Sequence, residues 1–167
     1  MIPKVVVAEP RSEFHPVWQR LRAGLAVDVL ETDIRGLLDR ELDAVVVPGW
    51  VAHERIGGKP ELGRSQVLSN SAGALGKAKW VVTTPPFAVD TKQAQEHGVP
   101  MWPEQPEQQG FETFSRVLAA IEEHNSTRAD RIESVGFEPE FLNFSNAYDE
   151  EASGVIRAVR CTLRLLG

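Results

Sequence analysis

The chain has 167 residues, 42% of them hydrophobic and 25% charged, with a formal net charge of −6, which suits one soluble globular domain able to bury roughly 70% of its unfolded surface. Its single cysteine, Cys161, excludes an internal disulfide and a cysteine-rich metal site. No apolar run approaches the roughly 18 residues of a membrane span, and an acidic chain without a basic run argues against nucleic-acid binding, which needs clustered cations to displace counterions.

Lys4 to Glu9 reads as a short apolar strand. Arg11 to Leu25 follows with Phe14, Val17, Trp18 and Leu21 on one helical face, and Pro16 in the first turn places the helix start near His15. Val27 to Glu31 is a second strand, and Arg35 to Arg40 a short polar helix. Asp43 to Val47 is a third strand, apolar on both faces through Ala44, Val45, Val46 and Val47, as an interior strand of a parallel or mixed sheet requires. Pro48 ends its pairing. Residues 49–58 are expected to be a loop, closed by Gly57 and Gly58, whose backbone can approach a ligand closely.

Beyond it, Pro60 to Arg64 opens a helical turn, Gln66 to Asn70 is a weak strand, and Lys79 to Thr84 is a stronger one stopped by Pro85 and Pro86. Ala88 to Gln109 reads as a long surface loop rich in Pro, Glu and Gln. Phe111 to His124 is an amphipathic helix carrying Phe111, Phe114, Val117, Leu118 and Ile121. Arg131 to Phe137 is the sixth strand, Glu138 to Tyr148 a loop, and Asp149 to Leu166 the last helix. That helix starts acidic and ends basic, which suits the helix dipole. The alternation predicts one domain over residues 1–167, an α/β/α sandwich around a mixed sheet of about six strands.

Ligands of open α/β sheets sit outside the carboxyl ends of strands, so Asp33, Gly49, Gly57, Gly58 and the loop after Phe137 are the candidate site. Each has a plainer role. Asp33 suits helix capping, the glycine pair suits a tight turn, and Trp50 either packs over the strand end or forms an aromatic wall. His53 and Glu54 are a weak acid/base pair, because neighbours on extended backbone point apart. Glu138 and Glu140 face the same cleft but would repel a pyrophosphate, whereas Ser145 and Asn146 can donate to ribose or phosphate oxygens. His15, His97 and His124 share no ligand spacing, so no metal is expected. Cys161, mid-helix and with no base beside it, reads as a small buried hydrophobe.

Taken in order, five segments resemble a macro domain, particularly its phage and bacterial branch. They are ETDI at Glu31 to Ile34, DAVVVP at Asp43 to Pro48, the Gly57 and Gly58 pair, LGKAKWVVTTPP at Leu75 to Pro86, and RIESVGFEP at Arg131 to Pro139. The resemblance implies an ADP-ribose-binding α/β/α fold with the Asp33 carboxylate on the adenine amino group, the Ile34 backbone N–H against the adenine ring, and the glycine loop along the phosphates. Gly49, Trp50, Ser145 and Asn146 complete the implied ligand-binding set.

Departures from the family pattern bear on its chemistry. Val47 and Trp50 stand where asparagines usually orient the distal ribose, and Lys59 and Pro60 where the hydrolytic branch has an aspartate, with Glu61 as a displaced substitute. The second phosphate loop is replaced by EPEFLNFSNAYDEE. The expected function is therefore binding of ADP-ribose or a related adenine nucleotide. The alternatives are an ADP-ribosyl hydrolase or ADP-ribose-phosphate processing enzyme, with Glu61 or His53 positioning water, and a protein-interaction scaffold whose pocket is plugged by Trp50 or by Phe141 and Phe144. No cofactor and no membrane partner are expected, and the expected location is cytoplasmic.

Overall fold

Apolar residues on both faces of the inner strands reflect a sheet covered on both sides. A computed structural model describes residues 2–144 and 148–166. Its strands are β1 (Lys4–Ala8), β2 (Val27–Leu30), β3 (Ala44–Val47), β4 (Val67–Ser69), β5 (Trp80–Thr83) and β6 (Ser134–Phe137). They form one sheet in the order β2-β1-β6-β3-β5-β4, parallel except for the antiparallel edge strand β4.

The helices are α1 (His15–Leu21), α2 (Ile34–Leu38), α3 (Gly49–Ile56), α4 (Thr91–His97), α5 (Pro106–Thr127) and α6 (Tyr148–Leu166). Val5, Val7, Ala44, Val46, Val135 and Phe137 pack with Trp18 of α1, Phe114, Val117, Leu118 and Ile121 of α5, and Val155, Ile156 and Val159 of α6. The alternate residues Val6, Ala8, Val45, Val47 and Val81 pack with Leu37 of α2 and with Val51 and Ala52 of α3. The period of two thus sends each strand's side chains into two separate cores, giving the three-layer α/β/α sandwich. Gly136 is small because a Cβ there would meet Leu37 and Leu42 from the α2 side.

Two expectations are corrected. Residues 49–56 are the helix α3, not a loop. Pro48, at φ −54°, turns the chain out of β3 and serves as the N-cap, and the next eight residues contain none of the Asn, Asp or Ser that favour turns. Residues 88–109 also hold more order than a surface loop. Ala88 bridges Met101, and Asp90 caps α4 by accepting the Gln93 N–H at 2.7 Å. Gly98 ends α4 in the left-handed region at φ 63°, and Pro106 is the first residue of α5, where its missing N–H costs nothing.

At the opposite end of the sheet from the strand carboxyl termini, Asp43 and Ser134 fasten β3 to β6. The Asp43 carboxylate accepts from the Glu133 and Ser134 N–H groups at 2.8 and 3.1 Å, and the Ser134 hydroxyl accepts from the Asp43 N–H at 2.9 Å. Among the described residues no helix is long and apolar enough to cross a membrane.

Candidate functional site

From β1 the chain moves outward to β2, whereas from β3 it moves the other way to β5, and β6 returns to fill the gap between β1 and β3. A crevice opens outside the carboxyl ends of strands where connections diverge in this way. The residues that leave those ends form a row: Thr32 and Asp33 after β2, Glu9 after β1, Glu138 after β6, Pro48 and Gly49 after β3, and Thr84 to Pro86 after β5.

Glu9 is fully buried. Its Oε1 accepts from the Arg11 N–H at 2.8 Å and from Arg11 Nε at 3.0 Å, and its Oε2 accepts from the Tyr148 hydroxyl at 2.5 Å. Tyr148 in turn accepts from Trp18 Nε1, and the Arg11 guanidinium lies over the rings of Phe14 and Tyr148. A buried carboxylate is tolerated when it is paired and hydrogen-bonded to this degree. This network joins β1, α1 and α6 beneath the crevice and leaves Glu9 with no oxygen to offer a ligand.

Glu138, at the end of the central strand β6, is different. It is 5% exposed, and its Oε2 has no hydrogen-bond partner among the described residues. Burial is the main cause that pushes its carboxyl above the usual range. The Ile34 N–H donates to it and opposes the shift, while Glu140, Asp33 and Glu9 reinforce it through like charge. Burial and like charge thus both disfavour the ionised form of Glu138.

Asp33 is exposed at the N-cap of α2, where Oδ1 accepts the Gly36 N–H at 3.0 Å. Its capping role is therefore real, and Oδ2 has no partner among the described residues. The Ile34 N–H, expected against an adenine ring, is directed to Glu138.

The N-terminus of α3 follows directly on the carboxyl end of β3. The Gly49 N–H donates to Thr84 Oγ1 at 3.1 Å, which ties β3 to β5, and the Val51 and Ala52 N–H groups both return to the Pro48 carbonyl. A Cβ on Gly49 would sit 3.0 Å from the Thr84 carbonyl oxygen, a tight contact against backbone. Gly57 and Gly58 lie at the other end of α3, roughly 12 Å away for eight helical residues, with φ of 89° and 87°. Gly57 there acts as the C-cap of α3.

Beside Gly49 is a cavity of about 330 Å³ lined by Trp50, His53, Pro60, Thr84, Pro85 and Pro86. Trp50 is 70% exposed, so it forms a wall and does not pack over the strand end. Phe144 is buried in the core on the α5 and α6 side and Phe141 packs half-buried against both cores; neither lines this cavity. His53 belongs to helix α3 and is not on extended backbone; its Nδ1 lies 3.0 Å from the Gly57 carbonyl. A carbonyl only accepts, so that nitrogen is the donor and Nε2 is the ring atom left without a partner among the described residues. Glu61 is elsewhere, paired with Arg64 in a groove against α5.

Ser145 and Asn146 lie outside the described residues. Cys161 is a half-buried free thiol on α6. Among the described residues no group of three or more His, Cys, Asp or Glu could hold a metal ion. Sequence reasoning missed Glu9, whose signal was a charge closing an otherwise apolar strand, and it undervalued Glu138. No protein-family model matches this chain, and no curated protein matches it.

Proposed function

We propose that the crevice binds ADP-ribose or a related adenine nucleotide, in the manner of a divergent macro-like domain. The observation that carries this reading is the row of groups along the strand ends. Asp33 after β2 and Gly49 after β3 are three strand spacings apart, roughly 14 Å at about 4.8 Å per strand. A span of that order accommodates an adenosine at one end and a pyrophosphate at the other.

In this reading the free oxygen of Asp33 accepts the adenine amino group. The phosphates lie against the start of α3, where the helix dipole favours an anion, so the phosphate wall moves from Gly57 and Gly58 to Gly49 and Trp50. Glu138, at the carboxyl end of β6 between them, accepts from a ribose hydroxyl. No hydrolytic step is assigned, because Glu61 is held by Arg64 and no carboxylate orients His53 among the hydrogen bonds described.

Isothermal titration with ADP-ribose tests the reading. Asp33→Ser is the informative variant, because serine keeps the cap of α2 but loses the carboxylate and its reach. Saturable heat with the wild type and a loss of about tenfold in affinity with Asp33→Ser is the expected result, close to the worth of one charged hydrogen bond. No heat at millimolar ligand would sink the proposal.

A further inference from the structure

The Trp50 cavity lies one strand beyond the phosphate end of the proposed site and shares Gly49 with it. Its wall is an indole that the fold leaves 70% in water, and its other surfaces are the rings of Pro60, Pro85 and Pro86. Aromatic surface of this kind, placed at the rim of a cavity instead of in a core, is characteristic of recognition surfaces. The apolar strip continues past Pro85 to Phe87, Met101 and Trp102, which line a second depression of about 430 Å³.

The polar groups of the cavity are few and partly used. Thr84 Oγ1 already accepts the Gly49 N–H, and His53 Nδ1 is held by the Gly57 carbonyl, which leaves Nε2 as the polar atom that the ring can offer. A sugar would bring several hydroxyls to this lining and find little to bond, and a further phosphate would be desolvated against proline and indole. A planar heteroaromatic ring needs only faces to stack on, and a single acceptor at its edge suffices.

We infer that the ligand of this site is a dinucleotide, whose second base occupies the cavity between the Trp50 indole and the Pro60, Pro85 and Pro86 surface. The inference rests on the adenine-nucleotide reading above and extends it by one subsite. From Asp33 after β2 to Pro85 after β5 is four strand spacings, roughly 19 Å, which asks for two nucleosides joined through their phosphates and not for one nucleoside diphosphate. Trp50 is then a specificity residue for the second base, with the start of α3 against the phosphates and Asp33 at the first base.

The experiment compares diadenosine diphosphate, ADP-ribose and ADP by isothermal titration on the full chain, with wild type, Trp50→Ala and Trp50→Phe. Trp50 is exposed, so neither substitution empties the core, and circular dichroism verifies the fold of each variant. The inference expects the wild type to bind the dinucleotide about 10- to 100-fold more tightly than ADP-ribose, the range that stacking one base supplies. Trp50→Ala is expected to erase that preference by lowering dinucleotide affinity far more than ADP-ribose affinity, and Trp50→Phe to keep most of it. Equal affinity for dinucleotide and ADP-ribose in the wild type, or a preference that survives Trp50→Ala, overturns the second-base subsite and leaves the adenine-nucleotide reading standing. Absence of binding by all three compounds overturns both.

Discussion

The Tyr148 hydroxyl donates to the Glu9 carboxylate at 2.5 Å, joining the first strand to the last helix across 139 residues of chain. Trp18 donates to the same hydroxyl, so three buried polar groups satisfy one another beneath the crevice. Tyr148→Phe removes the centre of this arrangement and strands both neighbours. A loss of about 1–3 kcal/mol is expected, the cost of leaving buried partners unpaired, measured as a lower denaturant midpoint at unchanged slope.

The same tyrosine sets an alkaline limit. Burial, reinforced by the bond to Glu9, pushes its phenol well above the ordinary value of 10.0. The unfolded chain therefore releases this proton at a lower pH than the folded one. Stability is fully present below about pH 10 and falls as pH rises beyond it. Equilibrium unfolding between pH 9 and 11 is expected to show that decline in the wild type and a shallower one in Tyr148→Phe.

Glu138 has the opposite range. Its carboxyl is raised mainly by burial, so the folded state favours the protonated form, and its contribution is greatest below the ordinary carboxyl range and lost as pH rises through the raised value. Glu138→Gln keeps the shape and a donor without the titration. Relative to this variant, the wild type is expected to lose stability on going from pH 4 to pH 8, and parallel unfolding curves for the two proteins would contradict the assignment.

Helices α5 and α6 approach so closely that glycine is required on both. A Cβ on Gly110 would overlap the Glu151 carbonyl oxygen, and one on Gly154 the Glu107 carbonyl oxygen. Alanine gains about 1 kcal/mol in helix propensity, yet backbone cannot yield as a flexible side chain does. Gly110→Ala and Gly154→Ala are each expected to destabilise by about 1–3 kcal/mol net, visible as a lowered Tm; an unchanged or raised Tm would show that the helices separate without cost.

Asn70 holds the turn between β4 and β5. Its Nδ2 donates to the Gly76 and Ala78 carbonyls at 3.1 and 2.8 Å, and its Oδ1 accepts the Leu75 N–H at 2.9 Å. Asn70→Ala leaves three backbone groups without their partner, and a loss of about 2–3 kcal/mol is expected. Hydrogen exchange localises the effect, with faster exchange at Leu75 than in β1 or β6.

Much of the molecule is written in local pattern. The apolar runs of β1, β3 and β5 and the 3.6-residue spacing of Phe114, Val117, Leu118 and Ile121 were enough to place those elements and to predict two covered sheet faces. The start of α1 was legible because Pro16 is tolerated only in a first turn, and the cap of α2 because Asp33 precedes it. Stop and start signals inside residues 88–109 were equally local, in Asp90, Gly98 and Pro106, but the density of prolines obscured them. The helix α3 was missed because Pro48 and Gly49 read as loop residues, while only Val51 and Ala52 of the segment are buried.

Local sequence determined the six strands, the helices α1, α2, α5 and α6 and the two-core sandwich, because strand and helix periodicities are properties of neighbouring residues. Only the tertiary structure decided that β6 lies between β1 and β3, since pairing of strands distant in the chain leaves no local trace. That one insertion brings Glu138 beside Glu9 and the start of α2, and it gives the unpaired carboxyl its environment. The placement of Trp50 was likewise decided in three dimensions. Forming α3 straight from Pro48 leaves the indole exposed, sharing a cavity lining with Thr84 and Pro85, which follow β5.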